Sequence, residues 1–159
     1  MEPPPPPPPA AGSPADIVQR GESFALERQL EEFLLENWDR MPLAKDWNIY
    51  STRDDPEAGR QFPTDVGRID ILEVDKKQSR FLVVELKRDQ STDQTVGQAL
   101  RYVGWVKKHL AKGGQGVEAL IIARKVNKEA HYALSTLPNV RMMTYEVEFR
   151  LRELEALPE

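Results

Sequence analysis

The chain has no cysteine among its 159 residues. That absence excludes disulfides and thiolate metal sites, and it fits a reducing interior, so a cytoplasmic protein is the expectation. Histidine is nearly as scarce: His109 and His131 are the only two, too few and too scattered for an imidazole-based zinc site. Any metal would be held by oxygen, which points to Mg²⁺ or Mn²⁺. No apolar run approaches the length needed to cross a bilayer. No basic stretch followed by an apolar core opens the chain as a secretion signal, and no membrane partner is expected. An excess of positive charge is missing too. The net charge of −4 argues against a dedicated, sequence-reading nucleic-acid binder, yet leaves room for an enzyme that grips phosphates locally.

What is present is an ordinary globular composition, 40% hydrophobic and 30% charged, in a chain long enough for one domain with a real core. The opening MEPPPPPPPAAGSP is low-complexity and reads as an extended, disordered arm. The expected division is an arm over 1–20, an α/β domain over 21–152 and a short acidic tail over 153–159. Lys76, Lys77, Arg80, Lys87, Arg88, Arg101, Lys107 and Lys108 concentrate basic charge in the middle, whereas acids are commoner near the ends.

From Glu22 to about Trp38 the pattern is helical, with Leu26, Leu30, Phe33 and Leu34 as the apolar stripe and Ser23 as N-cap. DWNIYSTR reads as a first strand and DDPEAGRQFP as a loop. Val66 to Val74 and Phe81 to Lys87 are β-branched runs joined by the polar turn Asp75 to Ser79, a hairpin signature. Thr92 and Asp93 open a helix running to about Leu110. After GGQG, VEALIIA is a buried strand; Asn127 caps a third helix ending near Pro138; Val140 to Leu151 alternates as a last strand. The order helix, three strands, helix, strand, helix, strand predicts a central mixed sheet flanked by helices.

The stretch GRIDILEVDKKQSRFLVVELKR places Asp70, Glu85 and Lys87 inside otherwise buried strands. With the turn centred between Lys77 and Gln78, facing residues have numbers that sum to 155, and Asp70 meets Glu85. The side-chain period of two puts Glu85 and Lys87 on one face and Leu82, Val84 and Leu86 on the other. Opposed like charges destabilise a sheet. Two carboxylates brought together in a half-apolar setting must share a proton, accept from a cation or bind a metal. A cross-strand ion-pair network and a Mg²⁺ site both fit this spacing.

Those residues also carry a resemblance. G-x-x-D in GRID, a hairpin, then VVELKR resembles the PD-(D/E)XK nuclease core. More narrowly, PTDVGRIDIL…FLVVELKRDQSTDQTVGQALRYVGWV is similar to the catalytic domain of the NucS (EndoMS) endonucleases, over roughly Glu22 to Arg150. The resemblance implies a restriction-endonuclease-like core and metal-dependent hydrolysis of DNA phosphodiester bonds. It implies that Asp70, Glu85 and the Leu86 main-chain carbonyl hold the metal, that Lys87 is the catalytic lysine, and that a first-helix glutamate, Glu27 in preference to Glu31, is directed at the metal. Gln98 and Tyr102 resemble the Gln-x-x-x-Tyr helix motif, and with Arg68, Arg88 and Arg101 they are the expected DNA-binding or supporting residues. Ile69 stands where the superfamily's signature proline precedes the first acid. The family's N-terminal DNA-binding and dimerisation domain is not matched, a proline tract standing in its place. The expected partners are therefore DNA and either a separate DNA-binding subunit or a second copy of the chain.

Overall fold

A computed structural model of the protein describes residues 27–155, apart from 147 and 149. The proline arm, Ser23 and Leu26 lie outside the described residues. The first helix, α1, covers 27–36 and gives way to two 3-10 turns, Trp38–Arg40 and Pro42–Lys45. Pro42 opens the second turn, where a missing N–H leaves no hydrogen bond unmade. There follow β1 (Trp47–Ile49), β2 (Arg60–Thr64), β3 (Gly67–Asp75), β4 (Arg80–Ser91), α2 (Asp93–His109), β5 (Gly116–Val126), α3 (Lys128–Ser135) and β6 (Val140–Thr144). No helix among the described residues is long and apolar enough to cross a membrane.

The sheet is mixed and six-stranded, in the order β1-β3-β4-β5-β6, with β2 also paired to β3. β1 lies against Glu73–Asp75 and β2 against Gly67–Ile71, so the two short strands follow one another along the outer edge of β3. β3 and β4 are antiparallel, whereas β4, β5 and β6 run parallel, with α2 and α3 as the crossovers. Alternation in the strands produces two apolar layers. Phe81, Val83, Val117, Ala119 and Ile121 pack under Val96, Ala99, Tyr102, Val103 and Val106 of α2 and Ala130 of α3. Leu82, Val84, Leu86, Leu120 and Ile122 face the other way, under Leu34 and Trp38. Each fully buried aliphatic side chain contributes about 1.5–3 kcal/mol, so these layers dominate the stability.

The helix starts follow their caps. The Thr92 hydroxyl accepts from the Thr95 amide, and the Thr95 side chain accepts from the Thr92 amide, closing a reciprocal cap on α2. Asn127 Oδ1 accepts from the Ala130 amide at 2.8 Å and starts α3.

Three expectations need correction. RQFP, read as the end of a loop, belongs to strand β2; the strand survives Pro63 because it pairs along one side only. Phe33 belongs to no buried layer: it is 56% exposed while Leu34 beside it is 8% exposed, so the core stripe of α1 is narrower than the sequence suggested. The last strand ends at Thr144 rather than Leu151, and Leu151 is 99% exposed.

Candidate functional site

The β3–β4 ladder runs from Val74↔Phe81 to Ile71↔Val84, each pair summing to 155. At its open end the carboxylates take over from the main chain. The Leu86 amide donates to Asp70 Oδ2 at 2.8 Å, and the Asp70 amide donates to the Glu85 carboxylate. Each acid is thus fixed by the backbone of the opposite strand. Glu85 is only 2% exposed, and its Oε1 is buried without a hydrogen-bond partner. Burial, then the charge of Asp70, pushes the Glu85 carboxyl above its ordinary range. Burial pushes Asp70 up as well, against the pull of the Leu86 amide and Lys87. Half-buried Lys87 therefore acts electrostatically on both acids.

Helix α1 brings two more carboxylates to this end of the sheet. Glu27 Oε1 accepts from the Arg88 amide at 3.0 Å. Glu31, 8% exposed, accepts from Gln61 Nε2. Burial raises the Glu31 carboxyl, and Asp70 adds to the rise while Gln61 opposes it. A cleft of about 410 Å³ lies here, with Glu27, Glu31, Gln61, Asp70 and Leu86 among its walls. One residue beyond Lys87 the β4–β5 register slips, Lys87↔Ala123 being followed by Gln90↔Lys125. This bulge turns the Arg88 amide to Glu27, while the Arg88 carbonyl accepts from Tyr145 Oη at 2.6 Å.

The structure therefore brings Asp70, Glu85, Leu86, Lys87 and Glu27 together at one end of the hairpin. It places the α2 residues differently. Tyr102 is 2% exposed, in the core beneath α2, and Gln98 Nε2 donates to its hydroxyl at 3.4 Å. Gly67 lies against that hydroxyl at φ +129°, and a Cβ there would overlap it, so the glycine of GRID and the tyrosine of QALRY are one packing feature. Arg68 and Arg101 are exposed on β3 and α2. Sequence reasoning missed Gln61. Its only sequence signal is its place in a short polar run with no helical or strand period.

A buried carboxylate with an oxygen lacking any partner, beside a half-buried one, suits a hard cation, and Mg²⁺ is commonly held by one or two carboxylates plus waters. Among the described residues, no three His, Cys, Asp or Glu side chains converge as a ready-made ligand set.

No curated protein matches the chain. Among solved structures it is similar to a repair endonuclease from Pyrococcus abyssi, with 22% identity over 74% of this chain and 46% of that one and a TM-score of 0.57. It is also similar to EndoMS in a complex with double-stranded DNA, at 19% identity over 78% and 46% of the two chains with a TM-score of 0.60. EndoMS in the apo form gives 16% identity over 76% and 45%, with a TM-score of 0.52. At these identities the likeness is one of fold, and the chain spans less than half the length of these solved chains. The sequence profile of the endonuclease NucS C-terminal domain matches residues 56–154, from the loop before β2 past the end of β6. The match covers more than half of the chain, and the protein belongs to the NucS C-terminal domain family.

Proposed function

We propose that this chain is a Mg²⁺- or Mn²⁺-dependent deoxyribonuclease, cleaving phosphodiester bonds within DNA at a PD-(D/E)XK site formed by Asp70, Glu85 and Lys87. One observation carries the reading: Asp70 and Glu85 are each locked by the other strand's main chain, with Lys87 beside both and a Glu85 oxygen left without a partner. A fold meant only to be stable would not oppose two acids there. Asp70, Glu85 and the Leu86 carbonyl would hold the cation, with Glu27 nearby on α1. When bound, the cation would polarise the scissile phosphate and lower the pKa of the attacking water. Lys87 would orient that water and stabilise charge developing on the phosphate. Arg68, Arg88 and Arg101 would grip the DNA backbone, and Gln98 with Tyr102 would hold α2 against β3. Family membership and the likeness to a DNA-bound EndoMS support DNA as the substrate.

The test is cleavage of single-stranded, duplex and mismatched DNA across a titration of Mg²⁺ and Mn²⁺, beside Mn²⁺-dependent thermal stabilisation. Binding to the native state alone raises apparent stability by mass action. Asp70→Ala should abolish that stabilisation without unfolding the domain, and equal melting shifts in wild type and variant would refute the site. A second reading is a nuclease-fold module that binds DNA or a partner without cutting. The net charge of −4 favours it, and metal binding without cleavage on any of the three substrates would select it.

A further inference from the structure

Gln61 is the residue in the cleft whose position asks for an explanation. It is not glycine, yet its φ of 47° lies in the left-handed region that β-strand residues avoid. The distortion sits at one place in the β2–β3 pairing, between Arg60↔Ile71 and Phe62↔Ile69, which sets Gln61 opposite Asp70. Its carboxamide then lies between two acids from different elements. It donates to Glu31 on α1, and it lines the same cleft as the Asp70 carboxylate on β3. An amide nitrogen carries two hydrogens, so one group can serve both carboxylates.

We infer that Gln61 is a positioning residue for the metal site, a neutral clamp that holds the Asp70 carboxylate and ties Glu31 of α1 to it. The inference rests on the metal-dependent reading above. The chemistry explains the residue type. An arginine or lysine here would also bridge two carboxylates, but its charge would compete with a divalent cation for the same oxygens. An amide fixes their direction and leaves their charge for the cation. Arg60, next in the chain, approaches Glu31 only to 4.0 Å and is 42% exposed, so it tempers the acid from the rim without occupying the clamp. Outer partners of this kind typically change metal affinity by about 10–100-fold when removed.

The test is titration of the full-length chain with Mn²⁺, free ion being counted by its electron paramagnetic resonance signal, together with metal-free melting curves. Gln61→Gly suits the purpose because glycine accepts the left-handed backbone while the amide is lost. The expected result is a folded variant whose Mn²⁺ affinity is about 10–100-fold weaker than wild type. A glutamine that merely joined β2 to β3 would give the opposite pattern, a lower melting temperature with Mn²⁺ affinity intact, and that result overturns the inference. If Gln61→Gly does not fold, Gln61→Leu, close to glutamine in size and without its donors, is read by the same criterion. Asp70→Ala separates the two levels. If the wild type takes up no Mn²⁺, or Asp70→Ala binds as the wild type does, the metal reading falls and the clamp falls with it. If Asp70→Ala loses binding and the Gln61 variant keeps it, only the clamp is wrong.

Discussion

The two ends of the β3–β4 hairpin each hold a buried acid and treat it in opposite ways. At the turn, Asp75 accepts from the Ser79 amide at 2.6 Å, the Ser79 hydroxyl at 2.7 Å, the Arg80 amide at 3.1 Å and Arg80 Nε at 3.3 Å. Burial alone would raise its pKa, but these bonds outweigh burial and hold the carboxyl down at about 2. At the open end, Asp70 and Glu85 share few donors, face each other, and are both pushed up. Between them Glu73 is 0% exposed with neither carboxyl oxygen partnered, and burial drives it to about 9 against a weak pull from Arg141. Burial is common to all four acids; what differs is the supply of donors. A fully served carboxylate is a structural part of the turn. An underserved pair on opposed strands, with a lysine beside it, is where the proposed cation would bind.

The largest effect expected from breaking this contrast is on chemistry at the open end. Lys87→Ala should fold and bind Mn²⁺ yet lose roughly 10²–10³-fold in cleavage rate, the scale for a single group that stabilises transition-state charge. If Lys87 merely paired with the acids across the strands, its loss would cost only about 0–1 kcal/mol of stability and leave the rate alone. Undiminished cleavage by a folded Lys87→Ala protein would sink the mechanism. The turn end should respond in the reverse sense. Asp75→Asn strands donors of Ser79 and Arg80, and by roughly 2–4 kcal/mol it should lower unfolding stability at pH 7, with Mn²⁺ affinity unchanged. Because the folded pKa is depressed, that contribution is present at neutral pH and fades as pH falls toward about 2, so the two proteins should converge in acid. A gap that stays constant down to pH 2 would show that Asp75 acts by packing and not by charge.

Much of this was legible in the sequence, for physical reasons. The near-continuous apolar runs Ile71–Val74 and Phe81–Val84 mark strands buried on both faces, and the polar turn centred between Lys77 and Gln78 sets their register. Thr92 and Asn127 announce their helices because unsatisfied amides at a helix start need an oxygen. What was hidden depends on contacts between elements. β2 has no alternation of its own and is held by pairing with β3, so Arg60–Pro63 reads as loop. Glu27 and Glu31 are one turn apart and alike in sequence. Only the packing of α1 assigns Glu27 to the Arg88 amide and Glu31 to Gln61. The left-handed turn of Gln61 has no local signature, because glutamine gives no hint of that conformation.

The smallest effect, and the sharpest test of the comparison, belongs to Glu73. If shortage of donors alone made a functional site, Glu73 would be the best candidate among the described residues, yet none of the cleft residues touches it in a hydrogen bond or ion pair. Its carboxyl lies in the layer of Ile71 and Leu82, opposite Ile49 of β1. It should therefore be a plain structural liability, and an apolar side chain of similar volume should serve better. Glu73→Met is expected to gain about 1–3 kcal/mol by removing a buried unsatisfied group, with cleavage and Mn²⁺ binding unaltered. The sign with pH follows from the raised pKa. Below about 4.5 the carboxyl is neutral in both states and the two proteins differ least. Between there and about 9 the unfolded chain ionises while the folded one stays protonated, so wild-type stability falls relative to Glu73→Met as pH rises. Urea unfolding at pH 5, 7 and 9 should show the gap widening at each step. A Glu73→Met protein that is less stable than wild type at pH 9, or that loses Mn²⁺ affinity, would mean that opposition of two acids is not what separates the site from the rest of the strand.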